Sequence, residues 1–428
     1  MAGTTGRTGV SETGRLPRTV GFWGAALLPV NGMIGAGIFA MPAILAAAVG
    51  NFAPWMMLLG GLLILPLAFV FAMLARRFDG SGGPVLYANA AFGPFLGFQA
   101  GWMRYASAVV AVAANTHVAV AYLLALFPGV DDAFWRPAGV TAFIVFVTVV
   151  NLVGMRSSVR TLGLMTAIKL LPLAAIVVAG LFAGDPAVGL SLPRFSEFES
   201  VVLLTFYAYM AFENANFPAG ELKDPRRNIP LALMAMLAAV TLFYMLVIWA
   251  YLAVAPQDAG ETNALAAAAG ELAGQAGVIV ISLAAAFSIA ANTLAGGIVI
   301  PRMTYGMAEQ GLLPAAFARV SRRFGTPDVS ILLYGGASIV FGLWAGFAAL
   351  AVASTLARLV TYFLSAAALP VLQRRDGERT PWWHLPLSLF AMASALWVAS
   401  HASAEAYRML ATIFVVGIML YFFARRRA

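Results

Sequence analysis

The sequence predicts an all-α integral membrane protein of about twelve transmembrane helices, and three observations predict it. Hydrophobic residues make up 62% of the chain and charged residues only 10%, against roughly 25% charged residues in a soluble domain. Mean hydropathy is +0.88, so lipid rather than water is the solvent for most side chains. Apolar runs long enough to span ~30 Å of hydrocarbon recur along the chain, and the basic residues sit in short clusters between them, mostly on one side of the membrane.

The runs fall at 20–48, 53–75, 94–127, 137–153, 158–183, 199–222, 230–254, 275–300, 328–347, 351–371, 383–400 and 406–424. The third is long enough to tilt or protrude. Residues 1–18 are polar and rich in Gly, Thr and Arg. They lack a small-residue cleavage site behind a short apolar run and are expected to form a disordered cytoplasmic tail. Residues 19–428 are expected to form one transmembrane domain.

With this layout, 20 Lys and Arg fall on one side of the membrane, among them Arg76, Arg77, Lys223, Arg226, Arg227, Arg374 and Arg375. Only Arg136, Arg194 and Arg408 fall on the other. The first side is cytoplasmic by the positive-inside rule, and both termini lie there. The net charge of +8 is thus a topology signal rather than a nucleic-acid surface. The chain has no cysteine, which excludes disulfides, thiolate metal sites and thiol nucleophiles. The three histidines, His117, His384 and His401, lie far apart, so neither a metal nor another cofactor is expected.

Arg104, Lys169 and Arg358 sit inside predicted spans and belong to neither side, and Glu213 is the only acid deep within one. Such groups cost at least ~2.5 kcal/mol in hydrocarbon and usually face a cavity or a partner, so they are functional candidates.

Two spans are not uniform. The first contains Asn31-Gly32-Met33-Ile34-Gly35-Ala36-Gly37-Ile38-Phe39-Ala40-Met41-Pro42. Glycine costs about 1 kcal/mol of helix propensity relative to alanine, and Pro42 removes a backbone donor. The sixth contains Tyr207-Ala208-Tyr209-Met210-Ala211-Phe212-Glu213-Asn214-Ala215-Asn216-Phe217-Pro218, an apolar run interrupted by a carboxyl, two amides and a proline. Broken backbone at membrane depth is tolerated where it is buried or lines a water-filled cavity. Breaks in the first and sixth spans point to two inverted repeats of five helices, about 20–183 and 199–371, with peripheral helices at 383–424. A half-helix N-terminus suits a carboxylate and a half-helix C-terminus suits an ammonium, so the pair forms a receptor for an α-amino acid.

The chain resembles the bacterial amino acid permease group of the amino acid–polyamine–organocation superfamily. Three segments carry the resemblance: Gly32 to Phe39 with Pro42; Tyr207 to Glu213 followed by Glu221-Leu222-Lys223-Asp224-Pro225-Arg226-Arg227-Asn228-Ile229-Pro230; and Arg302 to Pro314 ending in Gly325-Thr326-Pro327. The resemblance implies a LeuT-like fold, with helices 1 and 6 discontinuous. It implies a substrate site built from Met33, Ile34, Gly35, Ala36, Gly37, Ile38, Tyr207, Met210 and Ala211. Amides around Ala36, Gly37 and Ile38 would hold the carboxylate. Carbonyls near Met33, Ile34, Tyr207 and Met210 would hold the amine, and Tyr207 would act as a gate. Lys169 falls where proton-coupled relatives carry a lysine in place of a sodium ion, and Glu213 matches a family glutamate, so both are candidates for proton coupling. Relatives commonly carry glycine where this chain has Ala211, which predicts a less open break. The family pattern assigns no role to Arg104 or Arg358.

The expected function is secondary active transport of amino acids across the bacterial inner membrane by alternating access, proton-coupled or by exchange. Protons and the lipid bilayer would be its other partners. With Glu213 the only acid deep in a span, nothing is left over to pair with a cationic side chain, which favours neutral substrates. A polyamine or organic amine carrier, or a non-transporting sensor of the same fold, is the alternative. The symmetric filter of a channel and the catalytic cluster of an enzyme are both missing from the sequence.

Overall fold

The computed structural model describes residues 21–78, 83–127, 129–154, 159–183, 191–216, 223–254, 263–377 and 380–425. The predicted tail, and Glu221 and Leu222 of the second resembling segment, lie outside the described residues.

The described chain is almost wholly helical. In order, the helices are α1 (Phe22–Met33), α2 (Ala36–Val49), α3 (Ala53–Arg77), α4 (Pro84–Phe92), α5 (Pro94–Leu124), α6 (Asp132–Val153), α7 (Val159–Ala183), α8 (Phe195–Tyr209), α9 (Pro225–Val254), α10 (Ala264–Glu309), α11 (Asp328–Trp344), α12 (Phe347–Arg375), α13 (His384–Ser400) and α14 (Ala404–Arg425). A 3₁₀ turn, Phe212–Asn216, follows α8. Eight helical stretches are long and apolar enough to cross a membrane, and α11 and α13 are shorter apolar helices.

Local signals set many of the boundaries. Proline occupies the start of α4 and α5, where its missing N–H costs nothing. Asp131 caps α6 by accepting from the Ala133 N–H at 3.0 Å. In α10 the helix bends at Ala273 and at Gly274, where φ is +59°. The bend falls one residue before 275, where the eighth apolar run starts, and a short arm (264–272) precedes it.

Burial divides the helices into a centre and a rim. Helices α1, α2 and α8 pack among α3, α5, α9, α10 and α12. Along α5, Arg104, Ser107, Asn115, Thr116 and His117 are all buried. On the rim, α6, α7, α11 and α14 turn apolar side chains outward: Phe146, Leu171, Phe182, Val340 and Met419 are each more than half exposed. Apolar side chains facing outward are what a lipid solvent selects. Within the bundle, Thr116, Thr205, Thr241, Thr293 and Thr355 donate to the carbonyl four residues earlier, which satisfies each hydroxyl without a partner helix.

Candidate functional site

Helix α1 stops at Met33 and α2 starts at Ala36. Between them Ile34 adopts φ −77°, ψ 78° and Gly35 adopts φ −119°, ψ −139°. The break leaves the last carbonyls of α1 without helical partners, and donors from three other helices take them. From α7, Lys169 Nζ donates to the carbonyl oxygens of Asn31 at 3.3 Å and Ile34 at 3.1 Å. From α10, Asn292 Nδ2 donates to Asn31 at 2.6 Å and Gly32 at 2.9 Å, and the Ser288 hydroxyl reaches Ile34 at 3.5 Å. From α9, the Tyr244 hydroxyl lies 2.7 Å from the Met33 carbonyl and 3.1 Å from that of Ala208, tying the two broken crossings together.

The second break follows Tyr209. Met210 is extended and Ala211 has φ +74° before the 3₁₀ turn begins. The sequence reading expected alanine to oppose the glycine-like conformation here. Ala211 adopts it nonetheless, because the flanking helix and turn are held by tertiary contacts that outweigh a strain of about 1–2 kcal/mol. The methyl group is retained inside the site, so it narrows the space rather than closing the break.

Glycine lets the two breaks approach. A Cβ on Gly37 would meet the Ala208 Cα at 3.0 Å, and one on Gly32 would meet the Ala211 Cβ at 2.9 Å. Between the breaks lies a cavity of about 70 Å³, lined by Gly32, Met33, Gly35, Ala36, Gly37, Ala111, Asn115, Tyr207, Met210, Ala211, Asn292 and Arg358. The first turn of α2 starts at this cavity with no side-chain cap, and N–H groups of a first turn have no intrahelical acceptor.

Of the residues named from the sequence, Met33, Gly35, Ala36, Gly37, Tyr207, Met210 and Ala211 line this cavity. Ile34 and Ile38 are buried but are not among the lining residues, since the Ile34 carbonyl is engaged by Lys169. Lys169 is itself fully buried. The Tyr207 ring packs edge-on against Phe347 at a centroid distance of 5.8 Å. Phe347 also lines a wider cavity of about 960 Å³ at one end of the bundle, together with His117, Asp132, Arg136, Asn263 and Trp344. The Tyr207–Phe347 pair therefore stands between the two spaces.

A chain of amides runs from this aromatic pair to the first break. The Tyr207 hydroxyl donates to Asn115 Oδ1 at 2.7 Å. Asn115 Nδ2 donates to Asn292 Oδ1 at 3.3 Å, and Asn292 in turn holds the Asn31 carbonyl that Lys169 shares. Asn115 and Asn292 were not singled out from the sequence, although each is a lone amide within an apolar run.

Glu213 does not line the cavity. It is fully buried, 3.3 Å from Arg104 Nε and 3.4 Å from a terminal nitrogen of Arg358, and it accepts from the Tyr362 hydroxyl at 2.8 Å. Arg104 also donates to Asn214 at 3.3 Å, and Arg358 Nε donates to the Ser107 hydroxyl at 3.0 Å. The two arginines to which the family pattern gave no role thus converge on the one buried acid among the described residues, pinning the 3₁₀ turn to α5 and α12. The signal was available: a carboxyl and two guanidiniums in separate apolar spans need one another to enter a membrane.

Comparison with known proteins agrees with this architecture. Residues 20–424 match the amino acid permease family model, and the chain belongs to that family, within the amino acid–polyamine–organocation superfamily. It is 27% identical over 391 residues, 89% of each chain, to the serine/threonine exchanger SteT of Bacillus subtilis (strain 168). It is 27% identical over 392 residues to an uncharacterized transporter, Rv1979c, of Mycobacterium tuberculosis (strain ATCC 25618 / H37Rv), covering 83% of this chain and 80% of that one. The protein is thus an integral membrane protein of an amino acid transporter family.

Proposed function

We propose that this protein is a secondary active carrier that moves small amino acids by alternating access. The observation that carries the reading is the cavity between the N-terminus of α2 and the C-terminus of α8. There a substrate carboxylate meets free N–H groups and an ammonium meets carbonyl oxygens. One water needs about 10–15 Å³ of such space, so about 70 Å³ admits only a handful of non-hydrogen atoms, which is the scale of a small amino acid. The relative SteT, a serine/threonine exchanger by name, supports the same size class.

The layout supporting this reading is twelve crossings. Helices α1 and α2 make one, α8 with its 3₁₀ turn makes another, and α3, α5, α6, α7 and α9 to α14 make the remaining ten. The first ten crossings form two inverted five-helix repeats, and α13 and α14 are peripheral. Both termini are cytoplasmic, which places the wide cavity lined by Phe347 on the outer side. Tyr207 and Phe347 form the thin outer gate over the substrate. Lys169 acts where sodium acts in sodium-coupled members, as a buried cation on the carbonyls of the first break. Gain and loss of its proton links the state of that break to a proton gradient. Glu213 anchors the second break and contributes to coupling through the charge it balances. A polyamine substrate is opposed by the Arg358 guanidinium lining the cavity, which repels a second cation.

The test is uptake into proteoliposomes of a panel of labelled amino acids, with and without an inward proton gradient, in wild type and Lys169→Ala. Accumulation of a small amino acid that needs the gradient, and its loss in Lys169→Ala, supports the carrier and the lysine's role. Saturable counterflow without gradient dependence makes the protein an exchanger and removes Lys169 from coupling. Ligand binding without transport identifies a sensor.

A further inference from the structure

We propose that Arg358 is the side-chain selector of the cavity, taking small amino acids whose side chain ends in an acceptor oxygen, either a hydroxyl or a carboxylate. The inference rests on the carrier reading above and deepens it. Arg358 is 4% exposed, and what surface it has contributes to the cavity wall. Its Nε is committed to Ser107 and one terminal nitrogen to Glu213. The other terminal nitrogen has no hydrogen-bond partner among the described residues. A guanidinium fork is built to take an oxygen, and this nitrogen is open to one.

The other polar side chains lining the cavity are hydrogen-bonded to one another and to the first break. Asn115 donates one N–H to Asn292 and accepts from Tyr207. Asn292 donates to the carbonyls of Asn31 and Gly32, and the Tyr207 hydroxyl is turned to Asn115. The breaks on α1–α2 and α8 receive the carboxylate and ammonium common to all amino acids. Arg358 comes from α12, a helix that belongs to neither break, so it is left to read what differs between amino acids.

Charge points the same way. The buried ionic side chains among the described residues are Arg104, Lys169, Glu213 and Arg358, and Arg358 shares its only carboxylate with Arg104. An incoming oxygen with negative character relieves this imbalance, an apolar side chain leaves it, and a cationic one worsens it. The small volume restricts the choice to short side chains, so serine and aspartate are the probes and alanine the control of nearly equal size to serine.

The experiment is competition of unlabelled alanine, serine, aspartate and arginine against counterflow of a labelled substrate in proteoliposomes, in wild type and in Arg358→Lys, which keeps the charge and loses the fork. Wild type is expected to favour serine or aspartate over alanine by roughly ten-fold or more, the size of one charge-assisted hydrogen bond, and to reject arginine. The comparison of serine with aspartate shows whether hydroxyl or carboxylate is the natural ligand. In Arg358→Lys the preference over alanine is expected to shrink several-fold, which a merely structural residue would not cause. Equal competition by alanine in wild type overturns the selector, as does a proportionate loss for all substrates in the variant. If Arg358→Lys does not fold, the wild-type ranking alone decides. If alanine exchanges well without any preference, only the selector falls; if no amino acid moves, the carrier reading falls with it.

Discussion

The ammonium nitrogen of Lys169, on α7, lies 3.1 Å from the carbonyl oxygen of Ile34, the residue at which the first crossing breaks. Two carbonyls, those of Asn31 and Ile34, share this one buried cation, and no carboxylate lies within ion-pair distance of it among the described residues. The lysine is therefore bound to the backbone conformation of the break rather than to another side chain. A change in the break changes what holds the proton, and a change in the proton changes what holds the break.

Removing that cation is expected to loosen the break. In Lys169→Ala, Ile34 keeps only the 3.5 Å contact from Ser288, and each buried acceptor left short of a donor costs about 1–3 kcal/mol. The melting temperature of the purified protein is expected to fall, and gradient-driven uptake to be lost. Unchanged melting with unchanged uptake would show that solvent replaces the ammonium freely.

Glu213 is expected to be the most sensitive single position in the core. Glu213→Ala leaves Arg104 and Arg358 without their shared carboxylate, and breaking a buried ion pair in this way costs about 3–5 kcal/mol. Glu213→Gln should be milder, since an amide oxygen still accepts from Tyr362. Thermal unfolding of both variants in detergent, ranked Ala below Gln below wild type, checks the assignment.

Ala211 offers a test of opposite sign. Its φ of +74° favours glycine, so Ala211→Gly is expected to stabilise the fold by about 1 kcal/mol. The lost methyl also widens the cavity. A substrate one methyl larger is expected to gain up to roughly ten-fold in apparent affinity, measured as competition by threonine relative to serine. At Gly37 the reverse holds: Gly37→Ala places a methyl 3.0 Å from the Ala208 backbone and is expected to abolish transport by forcing the breaks apart.

The amide chain predicts a graded effect at the gate. Tyr207→Phe keeps the ring against Phe347 and loses only the bond to Asn115, worth about 0.5–1.5 kcal/mol, so exchange should change by a few-fold. Tyr207→Ala loses the ring as well and should raise passive efflux from preloaded vesicles. Asn292→Ala removes the donor to Asn31 and Gly32 and should reproduce part of the Lys169→Ala phenotype. Identical kinetics for Tyr207→Phe and wild type would show that the ring alone makes the gate.

Much of this was legible in the chain. Twenty-residue apolar runs admit little else than membrane helices, because every backbone polar group must be paired within its own segment. Gly32, Gly35 and Gly37 marked the first break and Glu213 with its asparagines marked the second, since such residues inside an apolar run have no purpose in a plain helix. The bend at Gly274 was legible only as a boundary, and the short arm before it was missed because its alanines suit a helix without marking a crossing. Asn115 and Asn292 are single amides in their runs, and nothing in the sequence marks them as partners.

The sequence by itself determined the lipid solvent, the helical crossings and the two places where helix gives way, because composition and glycine act locally along the chain. Only the tertiary structure decided which residues meet. It brought Arg104 and Arg358 to Glu213 from helices far apart in sequence, set Lys169 on carbonyls that carry no sequence signal, and placed Arg358 in the cavity wall. Ion pairs and hydrogen bonds act over a few ångströms in space. Spacing along a chain does not encode which helices will lie that close until they pack.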